Sequence, residues 1–203
     1  MIVIDYDNGI YELITQHDHA LLAGEMASYS GKAPFGRSSA RTIITAALHD
    51  VSWKRSDRDF QKAPYHFVDY PLQEKLELYK TGIDFLATEK QKQGRVHALF
   101  PNENIEFAHR QLQMWDNLSL YVCLNKPGVQ KEEEHPWFQR GIRAVTSSGE
   151  HITIHGKWID EKTVSFSPFP FTTSWEATIP YQVYDQTAQT IIRKERQITF
   201  IER

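Results

Sequence analysis

Four ionisable side chains stand where the residue pattern predicts buried helix: His19, the adjacent pair His49 and Asp50, and Asp116. An unpaired charge is costly to bury, so each of them needs a partner. Two imidazoles and two carboxylates can satisfy one another around a shared cation. Imidazole nitrogen with carboxylate oxygen suits one divalent ion of the Mn, Fe, Ni, Co or Zn group and does not select among them. The competing reading is structural at each position. A histidine at a helix start often bonds a backbone carbonyl. His49 and Asp50 could close a helix and pair with Lys54 or Arg55, and Asp116 could bond a nearby Ser, Tyr or Trp. The residues alone leave both readings open.

Spacing separates these four from their neighbours. His17 and His19 are two positions apart, about 200° around a helix, so they do not face the same way. Asp18 sits in a first helical turn, where a carboxylate meets the positive end of the dipole, and Thr15 is placed to cap it. His109 precedes Asp116 by seven residues on one predicted helix. The two share a face but lie roughly 10 Å apart along the axis, which removes His109 from the same ion. A second ion or a substrate anion is left for it, or neither role; His66 and His97 are equally loose. His151 and His155 fall on one face of a predicted strand about 13 Å apart, too far for a shared ion, and read as sheet-surface residues.

The elements that must position the four follow from periodicity. IVIDY and IYELIT are strand-like, and DNG between them predicts a hairpin turn over the first fifteen residues. The period then becomes helical from Gln16 to about Tyr29, with His19, Ala23 and Met26 on the apolar side. GKAPFG is a loop. A second helix is predicted from about Ser38 to Asp50. The stretch 51–70 is a long polar and aromatic loop. Pro71 opens a predicted third helix striped by Leu72, Leu76, Tyr79, Ile83 and Leu86. A fourth runs from about Glu103 to Asn125 with Ile105, Ala108, Leu112, Trp115, Ser119 and Val122 inward, and KPG ends it. HPWFQRG marks a turn. Beyond it IRAVT, HITIHGKWI, TVSFSPF, WEATIPYQVY and RQITFIER read as strands, with SPFPF as a stiff bend.

Composition bounds the function class. The chain has 203 residues, 40% hydrophobic and 24% charged, enough apolar material for a real core. Its formal charge is −3, from 26 acidic and 23 basic residues. That gives no field for a polyanion, and no basic run points to nucleic acid. KRSDRD and EEEH read as solvated charge clusters. Cys123 is alone in an apolar run, so no disulfide framework exists. The early charges Asp5 and Asp7 argue against a signal peptide, and no stretch is apolar over the roughly 20 residues a membrane span needs. The expectation is a soluble cytoplasmic protein, with no membrane partner. The aromatic-rich strands offer a homodimer interface.

The order His, His-Asp, Asp, each on a separate predicted helix, resembles the metal-binding pattern of the HD-domain superfamily of metal-dependent phosphohydrolases. The matching positions are His19, His49, Asp50 and Asp116. More closely, QHDHALLAGEMA, ALHDVSW and WDNLSLYVC resemble the DUF3891 family of small bacterial proteins, over about residues 10 to 125. Joined to the strand pattern, the resemblance implies an α+β fold: a helical HD-domain-like core with an N-terminal hairpin and C-terminal antiparallel strands packed as a sheet. A single domain over 1–203 is expected, with the helical core at 15–126 and the β-rich part at 1–14 and 140–203. It further implies a metal-dependent hydrolase acting on a small phosphorylated substrate. One divalent ion would be held by His19, His49, Asp50 and Asp116. Asp50 would also orient the attacking water. Lys54 and Arg55, with Arg58 and Arg110 as further candidates, would neutralise phosphate. Trp53, Tyr65, His66 and Phe67 would cover the pocket. Two alternatives stand beside it: a non-catalytic metal or small-ligand binding module, and a structural protein with a buried polar network.

Overall fold

The DNG turn forms as the sequence predicts, because Asp7, Asn8 and Gly9 all take positive φ. It joins β1 (Ile2–Asp5) to β2 (Ile10–Ile14), which pair antiparallel. The computed structural model describes residues 1–54, 57, 69, 73 and 105–202, and of 105–109 the backbone alone. Apart from Gln73, the predicted third helix at 71–90 therefore lies outside the described residues.

Three α-helices are described. α1 (Gln16–Ser28) starts at Thr15, whose hydroxyl oxygen accepts from the Asp18 amide at 2.9 Å. α2 (Ala40–Leu48) starts at Ser39, which accepts from the Thr42 amide at 3.1 Å. α3 spans Ile105–Leu124. Five more strands follow: β3 (Ile142–Val145), β4 (His151–Asp160), β5 (Thr163–Ser167), β6 (Trp175–Asp185) and β7 (Thr190–Ile201).

All seven strands join one sheet in the order β1-β2-β6-β7-β5-β4-β3. Every pairing is antiparallel except β5 with β7. β2 pairs with β6, which carries the N-terminal hairpin into the same sheet as the C-terminal strands. Along β6, Trp175, Ala177 and Ile179 are buried while Glu176, Thr178 and Pro180 are exposed, the alternation of a half-covered sheet. Opposite Trp175 on β7 lies Phe200, their rings stacked at 4.5 Å. Tyr29, just past α1, stacks on the other side of Trp175 at 4.3 Å. Trp115 of α3 stacks on Phe171 at 6.1 Å and donates its indole N–H to Ser38 at 3.0 Å. α3 rests on β4 at Gly156, where an added Cβ would lie 2.5 Å from the Tyr121 ring.

This architecture overturns the expected helical HD-domain-like core with appended strands. Among the described residues the sheet contains more of the chain than the helices do, and its buried face supplies as much of the core as they do. The reason is physical. Trp175, Phe166, Phe171 and Phe200 all project from or beside the sheet into one cluster, so the helices, which pack on one another, also cover a sheet. A second correction concerns α2. It ends at Leu48, so His49 is its C-cap and Asp50 lies beyond it, at φ −107°, ψ 21°. The predicted helix to Asp50 is two residues too long.

Among the described residues, no helix is long and apolar enough to cross a membrane. His151 and His155 are exposed on β4. Cys123 is buried, and burial pushes its thiol far up from the ordinary value, so it is an inert core residue.

Candidate metal centre

Close packing of α1 and α2 brings the first two elements of the centre together. Gly24 of α1 sits against Ala47 of α2, and a Cβ on Gly24 would lie 2.5 Å from the Ala47 Cβ. With no side chain there, the helices approach closely. His19, in the first turn of α1, then meets His49 at the end of α2. Their rings stand edge to face with centroids 5.2 Å apart. α3 supplies Asp116 from its middle.

Successive side chains on a continuous helix diverge by about 100°. His49 and Asp50 nevertheless converge, because the chain leaves the helix at Asp50 and enters a 3-10 turn over Val51–Trp53. That turn is fixed by the Trp53 amide donating to the Asp50 carbonyl at 3.0 Å.

Donor atoms of His19, His49 and Asp116 converge, and the Asp50 carboxylate stands beside the two imidazoles. Asp116 Oδ1 lies 3.2 Å from His19 Nε2 and 3.1 Å from His49 Nε2. Asp50 Oδ2 lies 3.6 Å from each of the same two nitrogens. One donor atom from each of His19, His49 and Asp116 lies within 4.8 Å of the others. With ligand bonds of about 2.1 Å, neighbouring donors stand roughly 3.0 Å apart around an octahedral ion and 3.4 Å around a tetrahedral one. The spacings of 3.1 to 3.6 Å lie close to those values, so the residues fit a divalent ion of the expected kind.

The His49 ring shows why something positive must stand there. Its Nδ1 is 2.7 Å from the Ala46 carbonyl oxygen, so Nδ1 carries a hydrogen and donates it. A neutral ring would then aim the Nε2 lone pair at the Asp116 carboxylate, which repels it. Either a second proton or a metal ion must lie between them. Without a metal the proton takes the place. Burial opposes the charge on His49, but the Asp116 hydrogen bond and the nearby Asp50 charge outweigh it and raise its pKa to about 9. Burial also opposes ionisation of Asp116, yet hydrogen bonds from His19 and His49 hold its carboxyl well below the usual range. Asp50 has no such bonds, and burial pushes its carboxyl up against the attraction of the two imidazoles.

The sequence-predicted residues divide clearly. His19, His49, Asp50 and Asp116 come together. His17 faces away and is held below its ordinary pKa by burial and then by Lys54. Lys54 is exposed and follows the 3-10 turn directly. Arg55, Arg58, Tyr65, His66, Phe67, His97 and the His109 side chain lie outside the described residues. Sequence reasoning missed two contributors. One is the Ala46 carbonyl, a backbone group that no side-chain pattern reveals. The other is Asp57, which KRSDRD hides among charges. It is buried, accepts from the Gln16 amide at 2.8 Å and pairs with the Met1 amine at 2.7 Å. It thereby ties the start of α1 to the segment beyond Trp53.

Comparison with known proteins gives a family and no activity. A family model described as "Protein of unknown function (DUF3891)" matches residues 1–91 and 84–186. No curated protein and no solved structure gives a significant match. The likeness to the HD-domain superfamily finds no support in these comparisons, and the sheet-dominated fold departs from it. The two matched segments together take in most of the chain, which belongs to the DUF3891 family.

Proposed function

We propose that His19, His49, Asp50 and Asp116 hold one divalent transition-metal ion, and that the loaded protein hydrolyses a small phosphorylated substrate. The observation that supports this most is the convergence of two Nε2 atoms on one carboxylate oxygen while the Ala46 carbonyl fixes the His49 tautomer. A histidine so oriented is a ready ligand, because its other nitrogen already has a partner. Bound there, a divalent ion would supply Lewis acidity for hydrolysis. The chain's own parts are then distinct. His19 is almost wholly buried and Asp116 is 31% exposed, so substrate approaches from the Asp116 side. Asp50 carries a carboxylate with no hydrogen bond to either imidazole, placed to accept a proton from attacking water. Lys54, exposed at the end of the same turn, is a candidate cation for a substrate phosphate.

A second reading has its own support. Four protein donors fill a tetrahedral shell, and closed four-coordinate sites are structural. If the resident ion is tetrahedral and all four side chains bind it at once, no position is left for water or substrate and the protein is a metal-holding module without turnover. Metal analysis of protein purified without chelator tests both readings. About one ion per chain, lost in H49A and in D116A, supports the centre. No ion, with both variants folded and the parent indifferent to chelator, refutes it. A phosphomonoesterase and phosphodiesterase panel with Mn, Co, Ni, Zn and Mg then separates the readings: turnover abolished in D50A supports the hydrolase, and a loaded but silent protein supports the module.

A further inference from the structure

The sheet has an open edge in its interior order. β6 pairs with β7 along its whole length, from Asp185 opposite Thr190 to Trp175 opposite Phe200. On the other side of β7, β5 pairs only with Thr199, Phe200 and Ile201. Among the described residues, Thr190–Gln197 has no strand partner on that side. At about 3.4 Å per residue these eight residues offer roughly 27 Å of unpaired backbone. Exposed edges of this length template pairing with another chain. This one also carries two exposed isoleucines, Ile191 at 38% and Ile192 at 56%. As neighbours on a strand, they point to opposite faces of the ribbon.

A receiving groove lies beside the same edge. It has a volume of about 630 Å³ and runs between β7 and the chain at Pro127, Glu161 and Lys162, with Tyr6, Tyr181 and Arg196 in its wall. Arg196 is fixed there. It makes two hydrogen bonds to Glu12, at 2.7 and 2.6 Å, and its guanidinium lies 4.6 Å from the Tyr181 ring centre. The surface it presents is therefore flat and preorganised.

We propose that this edge pairs with the same edge of a second copy of the chain, antiparallel about a two-fold axis at Lys194. A two-fold perpendicular to the sheet keeps each face continuous only when residues of like parity meet. Charge then chooses among the allowed registers. Centred on Lys194, Arg193 of each copy faces Glu195 of the other. A centre at Arg193 or at Glu195 also sets like charges together at the axis but gains no such opposite-charge pairs beside it, since Lys194 then faces Ile192 or Arg196. The chosen register also brings each Ile192 opposite Arg196 of the other copy, over the groove beside Tyr181. A knob and its hole on the same molecule, exchanged twice, make an isologous contact. Lys194 meets Lys194 at the axis, a like-charge contact that keeps the pairing weak, with Kd in the micromolar range.

Analytical ultracentrifugation of the full chain between about 1 and 200 µM tests this. A reversible monomer–dimer equilibrium is expected. R193E and E195R should each weaken it at least tenfold, the double variant R193E/E195R should restore it, and K194T should tighten it. These side chains are exposed, and thermal unfolding of each variant verifies that the fold is kept. A chain still monomeric at the highest concentration overturns the proposal. So does a dimer that the single reversals leave intact, or one that the double variant fails to restore.

Discussion

Gly24→Ala should loosen the candidate metal centre without touching any of its residues. A Cβ at position 24 would stand 2.5 Å from the Ala47 Cβ and 2.9 Å from both the Ala47 Cα and its amide nitrogen. Ordinary contacts of this kind lie near 3.5–4 Å, so the two helices must separate by about 1 Å at this point. Overpacking of that size costs about 1–3 kcal/mol, and replacing a helical glycine by alanine returns about 1 kcal/mol of propensity. Two of the three close atoms are backbone and cannot rotate away, which favours the upper end. A net loss of about 1–2 kcal/mol follows, or roughly 2–8 °C in Tm for a chain of this size. The functional effect should be larger than the stability effect. His19 precedes Gly24 by five residues on α1, and His49 follows Ala47 by two, so separation of the helices pulls their nitrogens apart. A loss of metal affinity of about tenfold or more is expected, as for other changes that misorient ligands. Titration with Zn and Mn by calorimetry, alongside thermal unfolding with and without chelator, measures both. Adding Ala47→Gly removes the 2.5 Å contact but leaves the two at 2.9 Å, so it should restore only part of each loss. A G24A protein with unchanged Tm and unchanged affinity would show that the helix approach does not set the site.

Other outcomes follow from particular contacts. In the metal-free protein His49 has a folded pKa near 9, above the ordinary 6.5. Its protonation therefore stabilises the fold fully below pH 6.5, and that stabilisation disappears as pH rises through about 9. Asp116 is depressed, so its contribution is present above the ordinary 3.8 and fades as pH falls below it. Urea unfolding of chelated protein should show stability falling by up to a few kcal/mol between pH 6.5 and 9, while metal-loaded protein, whose His49 carries no Nε2 proton, should not; a flat chelated curve refutes the cationic His49. Glu12→Gln removes the carboxylate that Arg196 grips from both nitrogens in a nearly buried setting. It should cost about 2–4 kcal/mol in urea unfolding, because a buried cation is left behind; a loss under about 0.5 kcal/mol would show the pair to be solvated. Gly156→Ala places a methyl group 2.5 Å from the Tyr121 ring and should cost about 1–3 kcal/mol by lifting α3 from β4.

Legibility differed from one feature to another for physical reasons. The hairpin turn and the cap at Thr15 were readable because each depends on two or three adjacent residues. The relation of sheet to helices was not. The pairing of β2 with β6, and of β5 with β7 in parallel, joins residues far apart in the chain, and no local period encodes it. His19, His49, Asp50 and Asp116 were readable as a group from chemistry, since each was a charge in an apolar pattern. How His49 and Asp50 both reach the centre was not. The sequence reading kept them on a helix, where neighbours diverge, and the exit at Asp50 is a matter of two backbone angles. Asp57 was misread for the opposite reason: in KRSDRD its charged neighbours made a buried carboxylate look like solvated surface.

The distribution of exposure across the centre bears on which ion it suits. His19 is 1% exposed, Asp50 10%, His49 13% and Asp116 31%. Three donors are thus set in the protein, and the fourth stands at the solvent side. Removing an inner donor leaves buried groups without partners and should harm folding as well as binding. Removing Asp116 leaves two imidazoles with Asp50, and its own position opens to water. D116A is therefore the variant that best separates structure from chemistry. If the cluster were only a polar network, D116A should lower the His49 pKa and destabilise the chelated protein, with no effect that depends on metal. If the cluster is a metal centre, the stabilisation given by added Zn or Mn should itself shrink in D116A, beyond any loss in the chelated protein. Equal metal-induced shifts in parent and variant would remove Asp116 from the centre.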